Sequence, residues 1–446
     1  MNRPHSIFLR SPLLSPKRYL AAFLALVFLL AAFTSRPASA APDASGLQLL
    51  GKSAILMDAA TGQILYQNNA SEALPPASMT KMMTEYLVSK AVKEGKLKWD
   101  ETITIQENAA KQIGSRVFLA VGDKHTVEEL YIAMAVGSAN DATVQLAETV
   151  AGSEEAFAQL MNKTAQELGM KDSHFINSTG LDRADMPAAY RPTSIEGETV
   201  MSARDSAILA YHIINDYPEF LEHSKIPSFK FRKTDKDPVI NWNWMLETNK
   251  DVTNFKKFAY PGVDGLKTGH TSKAGNCFTG TSLRNGTRLI AVVMGVPGGV
   301  NDGKRFLETA KLFDYGFNNF EKKTIIAAKS TVPEHETLKV KKGGKTKLPV
   351  VTATDITVLV PKGQNIETTV SEVKPASDPL LAPVKQGDKV GTVTYKYKDP
   401  ATQEEKLATV DLIAAEDVKK AGWFTLFLRA IGNFFSGLFK GIVNLF

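Results

Sequence analysis

The chain has 446 residues, 43% of them hydrophobic and 22% charged, which is enough for two or three globular domains and excludes a disordered or low-complexity protein. The net charge of +6 comes from the two ends, because residues 1–40 and 418–446 contain cations but no acid. The part between them is slightly acidic, so no nucleic-acid partner is expected. The single cysteine, Cys277, excludes an intramolecular disulfide and lies in an apolar run, where we expect a buried, inert thiol.

The N-terminus has the pattern of a signal peptide. A basic stretch precedes an apolar run over 19–33, and Ala38-Ser39-Ala40 then has the small-x-small pattern at which signal peptidase cuts. An uncleaved membrane anchor is the alternative, but the run is short of the ~20 apolar residues that a span needs. We therefore predict a signal peptide over residues 1–40 and export of the chain.

The mature chain opens with a predicted hairpin and a helix. Two β-prone runs, 53–57 and 63–67, flank a turn. After two prolines, a helix should begin close to Ser78, run to about Lys93 and stop at Gly95.

Ser78 and Lys81 stand at positions i and i+3 of this helix, so their side chains share a face. A serine hydroxyl becomes a nucleophile when a base takes its proton, and a lysine with a depressed pKa is such a base. The first turn of a helix also offers unpaired backbone N–H groups to a developing oxyanion. A capped helix with a solvated lysine is the alternative explanation of an isolated Ser-x-x-Lys pattern.

A second cluster lies in a turn between two apolar helices, predicted over 127–136 and 142–150. Ser138 and Asn140 occupy that turn. A helix C-cap followed by an N-cap explains the flanking Gly and Asp, but it leaves these two residues unassigned.

A third cluster follows a long irregular segment over 174–204, which is typical of the border of an active site. A β-prone run over 263–271 contains Lys267-Thr268-Gly269. Two further runs, 276–283 and 289–296, flank an Asn-Gly turn and predict a hairpin, and a helix is predicted over 303–317.

Beyond residue 322 the pattern changes to alternating Val, Thr and Lys with Gly and Pro turns. Residues 326–413 are therefore predicted to form a separate small β-sandwich domain. No phosphate-binding glycine loop and no His pair at metal-ligand spacing is found, and the acidic group around His335 has the character of a surface loop. We expect no metal and no other cofactor.

The tail, residues 418–446, forms an amphipathic pattern. One side of the predicted helix is apolar and the opposite side is polar. The apolar side comprises Trp423, Phe427, Ile431, Phe434, Leu438, Ile442 and Leu445, and the polar side comprises Arg429, Asn433, Ser436, Lys440 and Asn444. This pattern favours a helix lying in a membrane surface, and a helix packed on the protein's own core is the alternative.

Taken together, Ser78-x-x-Lys81, Ser138-x-Asn140 and Lys267-Thr268-Gly269 resemble the three motifs of penicillin-binding proteins and serine β-lactamases. Their surroundings, with the segment 175–181 and the run 264–271, are similar to the low-molecular-mass D-alanyl-D-alanine carboxypeptidases. The resemblance covers nearly the whole mature chain. It implies an α+β fold, in which an antiparallel sheet is flanked by helices with a mostly helical subdomain, followed by the all-β sandwich and the amphipathic helix.

The resemblance also implies a reaction. Ser78 would attack the bond between the last two D-alanines of a peptidoglycan stem peptide while Lys81 takes its proton, and β-lactams would acylate the same serine. Ser138 would relay a proton to the leaving amine, and Asn140 would hold the substrate amide and orient Lys81.

The third motif would bind substrate. Lys267 and Thr268 would bind the terminal carboxylate, Gly269 would let the substrate pair along the strand, and the backbone N–H groups of Ser78 and His270 would form the oxyanion hole. His270 and Thr271 complete the predicted substrate-binding set.

The domain boundaries that follow are a catalytic domain over 41–325, the β domain over 326–413 and a membrane-anchor helix over 418–446. The enzyme is thus expected at the outer face of the cytoplasmic membrane.

Two alternatives stay open. A class A β-lactamase needs a glutamate in a Glu-x-x-Leu-Asn context, which Glu196, Glu198, Glu219 and Glu222 lack. A non-catalytic wall-binding protein could keep the fold without the chemistry. The segment 241–246 also departs from relatives, which often carry an arginine there.

Overall fold

A computed structural model of the protein describes residue 44 and residues 46–443, with side chains up to residue 435. The signal peptide predicted over residues 1–40 lies outside the described residues.

The first part of the chain combines a sheet with helices. Its strands are β1 Ser53–Asp58, β2 Ile64–Asn68, β3 Thr102–Thr104, β4 Lys124–Thr126, β5 Ser228–Phe229, β6 Val239–Ile240, β7 Val263–Thr271, β8 Gly275–Arg284 and β9 Thr287–Val296. Its α-helices are α1 Lys81–Lys93, α2 Glu107–Ala110, α3 Val127–Gly137, α4 Asn140–Ala151, α5 Glu154–Glu167, α6 Ala203–Asp216, α7 Phe220–Ser224 and α8 Lys304–Asn319. Short 3-10 helices cover Ala77–Thr80, Arg183–Asp185, Ala188–Tyr190 and Glu247–Asp251.

The main sheet has the strand order β2-β1-β9-β8-β7, and each neighbouring pair is antiparallel. The turn between β8 and β9 is the predicted Asn-Gly turn. Asn285 and Gly286 both have positive φ, 50° and 75°, as a two-residue hairpin turn of this type requires. Strand β7 ends the sheet, so one of its edges has no strand partner among the described residues.

Alternating side chains of the sheet supply two separate cores, because successive residues of a strand point to opposite faces. In β9, Ile290, Val292 and Met294 pack into the core beneath α1, α4 and α6. Residues 289, 291 and 293 pack into a second core with Phe306 and Phe313 of α8. The sheet is therefore covered on both faces, which holds β7 and α1 in a fixed relation.

An all-β region follows α8 directly. Its strands are β10 Phe320–Ile326, β11 Thr337–Lys341, β12 Lys347–Thr352, β13 Ile356–Pro361, β14 Thr368–Pro375, β15 Leu380–Leu381, β16 Lys389–Lys398 and β17 Glu405–Ala414. Six of them form a sheet of order β14-β16-β17-β12-β11-β15, while β10 pairs with β13. The apolar residues of these strands form their own core, which includes Val393 and Leu412.

The chain then continues into helix α9, Trp423–Val443. Up to residue 435, its large apolar side chains stay outside the core: Trp423 is 79% exposed and Phe434 is 66% exposed. No helix among the described residues combines the length and apolar character needed to cross a membrane.

Gln63 joins the first part of the chain to the all-β region. Its buried side-chain amide donates to the Leu359 carbonyl at 2.9 Å, and its carbonyl accepts from the Leu359 N–H at 3.0 Å. A single side chain therefore satisfies both polar groups of one buried residue of β13.

We predict that Gln63→Leu lowers the free energy of unfolding by about 1–3 kcal/mol for each backbone group left without a partner, since neither group regains water. The measurement is the urea-unfolding midpoint followed by tryptophan fluorescence. Asn68→Leu, at an exposed position of the adjoining strand β2, is the control and should unfold like the wild type. Equal midpoints for the two variants would contradict the link.

Candidate active site

Ser78 lies in the 3-10 turn Ala77–Thr80, directly ahead of α1, and is half-buried. Lys81 opens α1 and has no exposed surface. Its Nζ lies 3.0 Å from Ser78 Oγ and 3.0 Å from the carbonyl oxygen of Thr179. The predicted i, i+3 pair is thus in hydrogen-bonding contact, and a carbonyl from a distant loop fixes the lysine from the other side.

Lys81 has the environment of a base. Burial, together with the positive charge of Lys267, holds the pKa of Lys81 well below its usual value. The acids Glu85, Asp141 and Glu154 oppose this shift, but Lys81 forms no ion pair with any acid among the described residues. Compared with a lysine in water, the uncharged amine is therefore favoured.

Glu85 is an unexpected neighbour that the motif does not indicate. It follows Lys81 by one helical turn, is fully buried, and has no hydrogen-bond partner for either carboxyl oxygen in the described part of the chain. Burial raises the pKa of Glu85 to about 8, against the effect of Lys267 and Lys81.

The turn between α3 and α4 has the predicted place. Ser138 caps α3 in the left-handed conformation, with φ 57°, and its Oγ accepts from Lys267 Nζ at 2.9 Å. Asn140 is the first residue of α4, and its side-chain amide donates to the Ile113 carbonyl at 2.6 Å. In the described structure Asn140 makes no hydrogen bond with Lys81, whose partners are Ser78 Oγ and the Thr179 carbonyl.

Strand β7 brings the third motif against the nucleophile. Lys267 is 2% exposed, and burial lowers its pKa to about 8. A Cβ added to Gly269 would come within 2.3 Å of the Pro76 carbonyl oxygen. The glycine therefore lets β7 approach the turn that carries Ser78, in addition to the role that the sequence suggested along the strand edge.

Arg305, in the first turn of α8, is a further site residue that no sequence motif indicates. Arg305 is 3% exposed, and its guanidinium donates to the carbonyls of Gly269 at 2.8 Å and Val300 at 3.0 Å, and to the Asn276 side chain. Burial lowers the pKa of Arg305 to about 10. The residue ties the end of β7 to the loop before α8.

These elements surround a cavity of about 200 Å³. The wall comprises Ser78, Gly114, Ser115, Ser138, Asn140, Gly180, Leu181, Trp242, Thr268, Gly269, His270, Thr271, Val300 and Arg305. Six predicted site residues besides Ser78 thus line the same cavity as the nucleophile, and Lys81 and Lys267 lie buried behind it. Trp242, from the segment that departs from relatives, adds an aromatic wall.

The four glutamates of the β-lactamase alternative and the single cysteine do not line this cavity. Glu196, Glu198, Glu219 and Glu222 are exposed and are not part of the cavity wall. Cys277 is fully buried, and burial raises the pKa of its thiol to about 11, so it is a weak nucleophile.

Comparison with known proteins gives the family. Residues 38–298 match the D-alanyl-D-alanine carboxypeptidase family, and residues 320–420 match the C-terminal domain of penicillin-binding protein 5. The chain belongs to the D-alanyl-D-alanine carboxypeptidase family. It is 36% identical to the D-alanyl-D-alanine carboxypeptidase DacF of Bacillus subtilis, over 86% of this chain and 89% of that protein.

Solved structures agree with this assignment. Penicillin-binding protein 3 of Streptococcus pneumoniae, a peptidoglycan synthesis regulatory factor, is similar with a TM-score of 0.72 and 30% identity, over 83% of this chain and all of that one. The ampicillin-bound penicillin-binding protein D2 of Listeria monocytogenes is 32% identical, with a TM-score of 0.50, over 61% of this chain and 99% of that one. The family, the α+β fold and the serine carboxypeptidase activity predicted from the sequence are confirmed.

Proposed function

We propose that Ser78 is the acyl-transfer nucleophile of this carboxypeptidase and that Lys81 is its base. The observation that carries the proposal is the 3.0 Å contact between Lys81 Nζ and Ser78 Oγ, made by a lysine with no exposed surface. A buried amine without a paired acid holds a proton less tightly than an exposed one, which favours the uncharged form that can accept the hydroxyl proton.

Acylation then proceeds at the carbonyl carbon between the last two D-alanines of a stem peptide. Ser78 Oγ forms a bond to this carbon while its proton passes to Lys81. The carbonyl oxygen becomes an oxyanion, which the backbone N–H groups of Ser78 and His270 stabilise. When the tetrahedral intermediate collapses, the C–N bond breaks and the leaving amine takes a proton, relayed from Lys81 through the Ser138 hydroxyl.

Lys267 and Thr268 select the free end of the peptide. Lys267 Nζ contacts Ser138 Oγ at the back of the cavity, and Thr268 and Thr271 line its wall. A cation next to hydroxyl groups binds the terminal carboxylate, so the enzyme trims chain ends. Asn140 lines the same wall and holds the substrate amide.

Deacylation follows the same course with water as the nucleophile. After free D-alanine leaves, water gives a proton to Lys81 and attacks the ester carbon. The bond between this carbon and Ser78 Oγ then breaks, Lys81 returns the proton to Ser78 Oγ, and the shortened peptide leaves with a free carboxylate. A β-lactam undergoes only the acylation half of the reaction. Its ring amide opens when Ser78 attacks, and the leaving nitrogen stays attached to the acyl group.

The location of the enzyme is a second part of the proposal. Residues 1–40 direct export, residues 41–325 form the catalytic domain, and residues 326–413 form the β domain that separates it from the bilayer. Helix α9 attaches the protein to the outer face of the cytoplasmic membrane. This is supported by the exposed apolar side of α9, where Trp423, Phe424, Phe427 and Phe434 are each more than half exposed.

Ser78→Ala is expected to abolish covalent labelling by a fluorescent penicillin and to reduce D-alanine release by at least ~10³-fold, since no other group of the cavity replaces the nucleophile. The substrate is a diacyl-L-Lys-D-Ala-D-Ala peptide. Ser71→Ala, at an exposed serine seven residues earlier, should be labelled like the wild type. Labelling that persists in Ser78→Ala would refute the assignment.

The pH dependence of the reaction tests Lys267. Because its pKa lies at about 8, Lys267 loses its charge above this pH, and kcat/KM should fall about tenfold per pH unit, mainly through a rise in KM. In Lys267→Arg the side chain stays charged at high pH. The alkaline fall of the remaining kcat/KM should therefore begin at a higher pH than in the wild type. An alkaline limb at the same pH in both proteins would show that Lys267 is not the titrating group.

Removal of residues 418–446 tests the anchor. In a chain that begins at Ala41, we expect this truncation to release the protein from membranes, measured by sedimentation of membrane fractions, and to leave the rate on the soluble peptide unchanged. Attachment that survives the truncation would contradict the role of α9.

A further inference from the structure

A lysine-rich hairpin lies beside the start of α9. In the antiparallel pair β11 and β12, Lys339 stands directly opposite Lys347, and both are exposed. Like charges directly opposite each other destabilise a sheet. The stretch 337–347 contains no acid, and in the described structure neither lysine forms an ion pair. The arrangement therefore lowers stability with no compensating contact inside the fold.

The lysines share one side of the hairpin. Leu338, Val340 and Leu348 are buried in the core of the all-β region, so Lys339 and Lys347 point away from it. Lysines near a sheet edge also discourage edge-to-edge aggregation. That explanation does not cover the exposed lysines outside the strands, among them Lys342, Lys419 and Lys420.

The hairpin is fastened to the segment that leads into α9. The Gly344 N–H donates to the Lys419 carbonyl at 2.8 Å, and the Ala421 N–H donates to the Lys342 carbonyl at 2.8 Å. A Cβ at Gly343 would come within 2.7 Å of a Val418 methyl group, so the two segments pack with no space between them. The lysine-rich hairpin and the start of α9 therefore move together.

Arg429 fixes the side of α9 on which the hairpin lies. Its guanidinium donates to the carbonyls of Gly343 at 2.6 Å and Gly344 at 2.7 Å. Arg429 is on the polar side of the helix, opposite Phe427 and Phe434. When the apolar side enters a bilayer, the hairpin lies on the water side of the helix, where the lipid phosphates are and where charges interact over a Debye length of ~8 Å.

We propose that the lysine-rich hairpin, residues 337–347 with Lys419 and Lys420, binds the anionic phospholipid headgroups of the membrane on which α9 lies. The proposal rests on the proposed membrane attachment of α9. A bilayer is the occupant that matches the surface, because cations and exposed aromatic residues meet at one end of the molecule. A soluble polyanion would use the lysines alone. Lys345 contributes less, since Glu416 pairs with it at 2.6 Å.

The test compares two triple variants of the chain from Ala41 onward. The hairpin variant carries Lys339→Gln, Lys341→Gln and Lys347→Gln. The control variant removes the same charge from exposed positions elsewhere in the all-β region, with Lys329→Gln, Lys374→Gln and Lys398→Gln. Sedimentation with phosphatidylcholine vesicles, with and without phosphatidylglycerol, measures the partition coefficients, and thermal unfolding checks that both variants fold.

On vesicles that contain phosphatidylglycerol, the hairpin variant should bind at least about tenfold more weakly than the wild type, and the control variant should bind nearly as the wild type does. On phosphatidylcholine alone, all three should bind alike through α9. Equal loss in the two variants would overturn the proposal, because net charge alone would explain it. So would a hairpin variant that loses binding to soluble polyphosphate but not to the vesicles.

The truncation after residue 417 distinguishes a failure of the proposed attachment through α9 from a failure of the hairpin proposal. If it abolishes binding while the hairpin variant binds as the wild type does, α9 is the anchor and the hairpin proposal fails. If the wild type itself binds no vesicle, the proposed attachment and the hairpin proposal fail together.

Discussion

The burial of two lysines in one site is the constraint on which the rest of the structure depends. Lys81 and Lys267 are almost completely excluded from solvent, and among the described residues neither forms an ion pair with an acid. Two unpaired buried cations would be very costly, so the site favours one uncharged amine and supplies neutral partners. The Ser78 hydroxyl and the Thr179 carbonyl serve Lys81, and the Ser138 hydroxyl serves Lys267. An uncharged amine lowers the free-energy cost of burying the two lysines. The same uncharged amine is the form that can act as a base.

This arrangement requires close contact between elements that are distant in sequence. Lys267 and Ser138 are 129 residues apart, yet their side chains lie 2.9 Å apart at the back of the cavity. The edge position of β7, the missing side chain at Gly269 and the grip of Arg305 on the Gly269 carbonyl bring the strand against the nucleophile turn. The two cores of the sheet hold this geometry, because they fix α1 on one face and α8 on the other.

The other end of the molecule follows a different physical requirement. There the apolar side chains of α9 up to residue 435 are exposed, and in the described structure the nearby lysines have few acidic partners. Such a surface is unfavourable in water and matches the proposed contact with a charged bilayer. Two side chains connect these regions. Gln63, next to β2 of the main sheet, binds β13, and Arg429 of α9 binds the tip of the lysine-rich hairpin. In the proposed arrangement, the height of the active site above the membrane is set by these contacts.

The sequence alone determined the three motifs and the elements that carry them. The hairpins, the helix that follows Ser78, and the turn between two helices at Ser138 appear with nearly the predicted bounds, because hydrophobic period, proline and Asn-Gly positions act over a few residues. The pairing of Ser78 with Lys81 was predictable for the same reason, since helical spacing alone makes them neighbours. Only the tertiary structure decided which groups surround them. The Thr179 carbonyl at Lys81, the unpartnered carboxyl of Glu85, the Asn140 amide directed to Ile113 and the Arg305 clamp depend on the packing of distant segments, which leaves no periodic signal in the chain.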